Sequence, residues 1–287
     1  MTVALVTGCS SGIGMHSALA FARQGTLTYA SMRDTAKATP LLETAREEGL
    51  PLEVLRLDVR QEASVTAAVR AVEERHGAVG ILVNNAGLSH AGPVETIAAQ
   101  RAEEVMDTNY WGAVRMARAV LPGMRARGHG VIVNVGSMAG LVPGIPYNAF
   151  YMASKHALSV TSECLAMEVG PLGIRVVCVE PDYVPTQIFA GRWQESVDPH
   201  GPYAQDHAWA ERYMRATCDD AGGGHPGAVA DVVVRAALDP KSPLHVPVGE
   251  TCEQVTGLAR QCRTFEEWSL AATHLMESAA GPRPARP

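Results

Sequence analysis

The amino-acid sequence predicts a doubly wound α/β fold, one seven-stranded parallel sheet with helices on both faces. Three observations lead there. Short apolar runs rich in Val, Ile and Leu recur along the 287 residues, stretches of helical periodicity separate them, and the first run ends in a glycine-rich turn that opens a helix. Continuous apolar runs suit strands covered on both faces, and strand alternating with helix implies right-handed crossovers in a parallel sheet.

The strands are expected at Val3–Thr7 (VALVT), Leu27–Met32 (LTYASM), 52–57 (LEVLRL), 80–83 (GILV), 131–135 (VIVNV), 174–179 (IRVVCV) and 244–248 (LHVPV). Helical periodicity fills about 13–24, 40–48, 61–76, 99–126, 149–169 and 227–238. The one compositional break, 181–227, is rich in Pro, Gly and polar residues and holds six of the fifteen aromatics. An insertion of that length reads as a substrate lid, at about 183–226. Thr264 with Glu267 forms a capping box for a final helix near 265–278, inside a helical extension at about 251–280. Residues 1–280 are thus expected to form a single domain, and 281–287 a frayed tail.

A net charge of −6 and a pI near 5.9 leave no basic footprint for nucleic acid or an anionic membrane. The six cysteines are scattered, without C-x-x-C, which suits reduced thiols in the cytoplasm. The start, MTVALVTGCSSG, lacks a secretory pattern, and no apolar run reaches the ~20 residues of a membrane span. Among the ten histidines no H-E-x-x-H occurs, and His200, His207 and His225 are irregularly spaced, so no metal is expected.

After the first strand comes Thr7-Gly8-Cys9-Ser10-Ser11-Gly12-Ile13-Gly14. Glycines there let backbone approach a pyrophosphate, and the helix N-terminus offers unpaired N–H groups. Asp58-Val59 then closes the third strand, Asn84-Asn85-Ala86-Gly87 the fourth, Ser137 follows the fifth, and Tyr151-Met-Ala-Ser-Lys155 opens the next helix. Read together, these elements resemble the short-chain dehydrogenase/reductase family, whose fold is Rossmann-like. GCSSGIG, Met32-Arg33-Asp34 and NAG-L look most like its hydroxysteroid and retinol dehydrogenase subgroup.

The resemblance implies that Gly8, Ser10, Ser11, Gly12, Ile13 and Gly14 line the cofactor phosphates and ribose, Asp58 and Val59 the adenine, and Asn85, Ala86 and Gly87 the neighbouring ribose. Asp58 could instead cap the following helix. NAD-preferring relatives carry an acid at the end of the second strand. Here Met32 stands there, followed by Arg33, whose planar fork suits a phosphate, so NADP(H) is favoured over NAD(H).

Tyr151 and Lys155 stand four apart and share a helix face, a spacing that chance rarely produces in a chain with three lysines. An isolated tyrosine, with a pKa of ~10, is a poor base at neutral pH. A neighbouring ammonium and an oxidised nicotinamide stabilise its phenolate. Tyr151 is therefore the expected general acid/base, and Lys155 its electrostatic partner, bonded also to the nicotinamide ribose. Ser137, at the carboxyl edge of the fifth strand, can orient the substrate oxygen. By resemblance Asn109 interrupts a helix and helps anchor a water that connects the lysine to solvent. Pro181, Val184 and Thr186 match positions that hold the nicotinamide, while Asp182 replaces the family's glycine and could place a carboxylate near that ring.

Met138, Leu141, Pro143, Tyr147, Tyr183, Phe189 and Trp193 are expected to line a pocket for a hydrophobic ketone or secondary alcohol, of steroid, retinoid or polyketide type. The aromatic lid residues could equally pack the lid onto the domain or form a subunit contact. By resemblance, helices bearing Ala113, Ala117, Ala153 and Ala157 pair into a homodimer or homotetramer. Two other functions stay open: a cofactor-sensing regulator without turnover, which should lose Tyr151 or Lys155, and a nucleotide-sugar epimerase or dehydratase, which should show G-x-x-G-x-x-G.

Overall fold

Residues 2–188, 197–217 and 224–285 are described by a computed structural model. Seven strands, β1 (Val3–Thr7), β2 (Leu27–Met32), β3 (Leu52–Arg56), β4 (Ile81–Asn84), β5 (Gly130–Val135), β6 (Ile174–Pro181) and β7 (His245–Val248), form one sheet in the order β3-β2-β1-β4-β5-β6-β7. Every pair is parallel. Alternation along β1 shows why apolar runs were needed: Ala4 and Val6 enter the core on one face, Val3 and Leu5 that on the other.

The first face is covered by α1 (Gly12–Arg23), α2 (Thr39–Glu47) and α8 (Pro226–Leu238), the second by α3 (Glu62–His76), α5 (Gly112–Arg127) and the end of α6 (Ala149–Val169). The order in which successive strands are added reverses between β1 and β4, which opens a crevice at the carboxyl ends of the strands, where ligands of open α/β sheets bind.

The expected helix at 99–126 is divided. Between α4 (Ala99–Met106) and α5 the segment Asp107–Trp111 takes the wider π form. The cause lies in Asn109, whose side chain leaves the helix to bond backbone elsewhere.

A third core lies above the carboxyl edge. It joins α6 to α7 (Ala204–Arg215), α9 (Glu250–Gln261) and α10 (Phe265–Ala280) through Tyr151, Trp209, Tyr213, Cys252, Trp268 and Met276. The helix α7 falls within the expected lid. Near the end of the described residues, Trp209 Nε1 donates to Gly281 O at 2.8 Å, and Arg283 pairs with Asp206. Ala117 packs into the second core, and Ala113 is buried as well. On α6, Ala153 is exposed and Ala157 half-buried, and Trp111 just before α5 and Val160 and Met167 on α6 are exposed.

Among the described residues no helix is long and apolar enough to cross a membrane.

Candidate active site

The glycine turn is fixed by its neighbour strand. Thr7 Oγ1 accepts from the N–H groups of Asn85 and Ala86, both at 3.0 Å, and Asn85 Nδ2 donates to the carbonyls of Thr7 and Gly8 at 2.8 and 3.2 Å. A Cβ on Gly14 would collide with Asn85 Nδ2 and the Gly8 carbonyl. Gly14 therefore serves this packing and does not line the cleft. Gly12 adopts φ +57, a left-handed conformation that favours glycine. Ser11 caps α1 without using its hydroxyl, and the first turn of α1 carries no acid. That end of the helix is open to an anion.

From this turn a cleft of about 430 Å³ runs to the sheet edge and on beneath α7 and α10. Gly8, Ser10, Ser11, Gly12, Ile13, Arg33, Asp58, Val59, Asn85, Ala86, Gly87, Pro181, Val184 and Thr186 all line it. So do Lys37 and Arg60, which sequence reasoning missed. Asp58 accepts Arg60 Nε and Nη2 at 3.1 and 2.8 Å, and these bonds hold its carboxyl below the ordinary range. Asp58, which lines this end, is therefore already paired, while Arg33, Lys37 and Arg60 add positive charge to the same lining.

At the opposite end, Tyr151 and Lys155 sit on one face of α6, both buried and both lining the cleft. Lys155 Nζ donates to Val135 O at 2.8 Å and stands 5.7 Å from the centre of the Tyr151 ring. The carbonyl at the end of β5 thus aims the ammonium. Ser137 accepts the Ala139 N–H at 3.1 Å, which leaves its own O–H to donate into the cleft. Asn109 does not reach the cleft. Its Oδ1 accepts Leu88 N and its Nδ2 donates to Leu88 O, each at 2.9 Å, and Nδ2 also reaches Ser154 Oγ at 3.1 Å. That side chain staples the segment after Gly87 to α6.

Of the expected substrate residues, Met138 and Tyr183 line the cavity. Leu141, Pro143 and Tyr147 do not: Leu141 packs into the third core, Pro143 is exposed, and the Tyr147 hydroxyl turns to Asp206 at 2.7 Å. Phe189 and Trp193 lie outside the described residues. Ile145, Ile188, Tyr213, Met214 and Met276 complete an apolar wall. Tyr213 was visible as one of the lid aromatics, but Met276 lies 125 positions from Tyr151, and only the packing of α10 brings it here.

Asp182 lines the cleft, but its carboxylate is turned to the start of α9. Its φ is not positive, and its carboxylate accepts the N–H groups of Thr251 and Cys252 in the first turn of α9. Gly249 leaves it room, since a Cβ there would overlap the carboxylate. Burial raises the Asp182 carboxyl, and the α9 N–H groups oppose that rise.

Behind the site, Cys178 Sγ, a Glu180 oxygen and a His245 ring nitrogen lie within 4.8 Å of one another, donor types that could hold a metal. Both ring nitrogens are already bonded, Nδ1 to Glu180 at 2.6 Å and Nε2 to Glu163 at 3.1 Å.

The family model described as short chain dehydrogenase matches residues 2–196. The chain belongs to the short-chain dehydrogenase family. It is 44% identical over 185 residues to 17-beta-hydroxysteroid dehydrogenase type 1 of Homo sapiens, a match covering 62% of this chain and 56% of that protein. The chain thus spans little over half of that relative. A short-chain dehydrogenase from Streptomyces avermitilis superposes with a TM-score of 0.81 at 30% identity, over 94% of this chain and 97% of that one. A gluconate 5-dehydrogenase from Burkholderia cenocepacia, solved with NADP and tartrate, gives 0.72 at 26% identity over 88% and 95%. The fold and the likeness to hydroxysteroid and retinol dehydrogenases follow for this member of the family.

Proposed function

We propose that this short-chain dehydrogenase interconverts a hydrophobic ketone and its secondary alcohol with NADP(H), using Tyr151 as general acid/base. The observation that carries the reading is the buried pair Tyr151–Lys155 in a cleft continuous with the glycine turn.

The cleft fits the dinucleotide on three grounds: its unbroken length, the uncapped hydroxyl and open N-terminus at Ser11, and the basic group at the adenosine end. Ser10, Ser11, Gly12 and Ile13 would hold the pyrophosphate, Asn85, Ala86 and Gly87 a ribose, and Pro181, Val184 and Thr186 the nicotinamide. Arg33, with Lys37 and Arg60, favours a 2′-phosphate, because planar guanidinium pairs with phosphate through two bonds. When bound, the nicotinamide supplies or accepts the hydride.

The protein's own part is the proton. Tyr151 Oη gives its hydrogen to the carbonyl oxygen during reduction and takes it back during oxidation. The Lys155 ammonium, aimed by Val135 O, stabilises the phenolate left behind. Ser137 O–H donates to the same oxygen and stabilises its developing charge. The apolar wall of Met138, Ile145, Tyr213, Met214 and Met276 excludes water and suits a bulky, weakly polar substrate. The exposed face carrying Trp111, Val160 and Met167 supports pairing into a dimer or tetramer, read by light scattering of the purified protein.

The test follows NADPH oxidation with a panel of steroid-like, retinoid-like, aromatic polyketide-like and small polar ketones, for wild type and Tyr151→Phe. Removing the phenol should lower kcat at least about 10²-fold while NADPH affinity stays unchanged. Turnover of small polar ketones far above the hydrophobic ones would remove the substrate reading. Absence of Tyr151-dependent turnover would favour a cofactor-sensing regulator.

A further inference from the structure

The roof of the substrate cavity comes from three separate stretches. The loop before α6 contributes Ile145 and Asn148, α7 contributes Tyr213 and Met214, and α10 contributes Met276. All three meet at one carboxylate, Asp206, in the first turn of α7. From the loop, the Tyr147 hydroxyl donates to Asp206 Oδ2 at 2.7 Å. Beyond α10, Arg283 donates Nε to Oδ1 and Nη2 to Oδ2 of the same carboxylate, at 2.6 and 2.7 Å. The guanidinium carbon also lies 5.3 Å from the centre of the Trp209 ring, one turn along α7.

The local geometry is demanding. Tyr147 has φ +61, the one non-glycine residue among those described with a left-handed backbone, a conformation held only where surrounding contacts impose it. Its carbonyl accepts Gly92 N at 2.9 Å, so backbone and hydroxyl are each tied. Two indole bonds run in parallel with the joint, Trp209 Nε1 to Gly281 O and Trp268 Nε1 to Gly144 O. These connect α7 to the end of α10, and α10 to the loop.

We propose that Asp206, joined to Tyr147 and Arg283, is a positioning residue that fixes the width of the substrate cavity and so discriminates bulky from small ketones. This rests on the reading of the cavity as a hydrophobic-ketone site. The joint touches neither the reacting atoms nor the dinucleotide end. Its loss loosens the roof, and the substrate that fills the cavity to the roof loses contacts while a small one does not. Bidentate Arg–carboxylate geometry makes the joint stronger than an ordinary surface pair, although its partial exposure screens it.

The experiment compares wild type, Arg283→Ala, Arg283→Lys, Asp206→Asn and Tyr147→Phe with estrone as the bulky probe and cyclohexanone as the small one. The KM for estrone should rise about fivefold in Arg283→Ala and Asp206→Asn, as expected for a lost charge-assisted bond. Their kcat, their KM for cyclohexanone and their NADPH affinity should hold. Tyr147→Phe removes a single oxygen and should shift the estrone KM in the same direction, and Arg283→Lys should recover part of the loss. Trypsin reads the joint without turnover: cleavage after Arg212 and Arg215 on α7 should be faster in Arg283→Ala and Asp206→Asn. If wild type reduces neither probe, the hydrophobic-ketone reading fails, and the trypsin arm still decides the joint. Cleavage rates equal to wild type, or KM values that rise equally for both ketones, would overturn the proposal.

Discussion

The proposed preference for NADP(H) rests on Arg33, which lines the cleft beside an acid that is already paired. Asp58 is the nearest carboxylate lining that end of the cleft, and both of its oxygens are bonded to the Arg60 guanidinium. An unpaired acid would repel a phosphate, whereas this one anchors a second cation beside Arg33. Replacing Arg33 with Ala should weaken NADPH binding about tenfold, the worth of one charge-assisted pair, and leave NADH binding nearly unchanged, both read by fluorescence titration. Equal weakening of the two would place Arg33 outside phosphate recognition. At this scale the sequence carried much of the site, since Tyr151 and Lys155 are neighbours by helical spacing alone and Ser137 and the glycines follow strand ends. It did not carry Lys37 or Arg60, whose place in the cleft depends on how the loops after β2 and β3 lie side by side. Nor did it show that Tyr147 turns away from the cavity, because that turn is decided by an aspartate 59 positions later.

Helices and strands were legible in proportion to how local their causes are. The strands covered on both faces announced themselves as apolar runs, and their bounds moved by at most two residues. The break at Asp107–Trp111 was expected only through the family resemblance at Asn109, because the helical pattern itself continues through it and the widening answers Asn109's bonds to Leu88. Element α9 is capped by Asp182, the residue expected from the resemblance to be glycine. Gly249 at its N-cap position offers no side chain, so the Asp182 carboxylate performs the cap from the end of β6. Asp182→Gly should therefore destabilise the protein by about 0.5–2 kcal/mol, the usual cost of a lost cap, measured as a lower midpoint in urea at unchanged slope. The ratio of NADP⁺ to NADPH affinity should not move, since the carboxylate is committed to α9. A changed ratio with unchanged stability would restore the charge to the nicotinamide.

Across the whole molecule, the sheet edge and α6 are tied by His245. His245 on β7 bonds Glu180 of β6 through Nδ1 and Glu163 of α6 through Nε2, with Cys178 its register partner on β6. Burial opposes protonation of the ring, but the two carboxylates outweigh it and raise the His245 pKa above its ordinary value. Glu180 is 1% exposed and Glu163 half-exposed at the side chain, so the ring holds its charge chiefly for the buried partner. A group whose pKa is higher in the folded than in the unfolded state binds protons more tightly in the fold. Its contribution is complete below the unfolded value of ~6.5 and is lost as pH rises through the higher folded value. Wild type should accordingly exceed His245→Gln in Tm most clearly near pH 6, and the gap should narrow steadily above about pH 6.5. Thermal scans from pH 5.5 to 9 measure this, and a gap that stayed constant or widened with pH would mean that the ring is held neutral between the two carboxylates. Because Glu163 lies two turns beyond Lys155 on α6, the same deprotonation should reach the active site only through stability, leaving kcat at low temperature unaffected by the substitution.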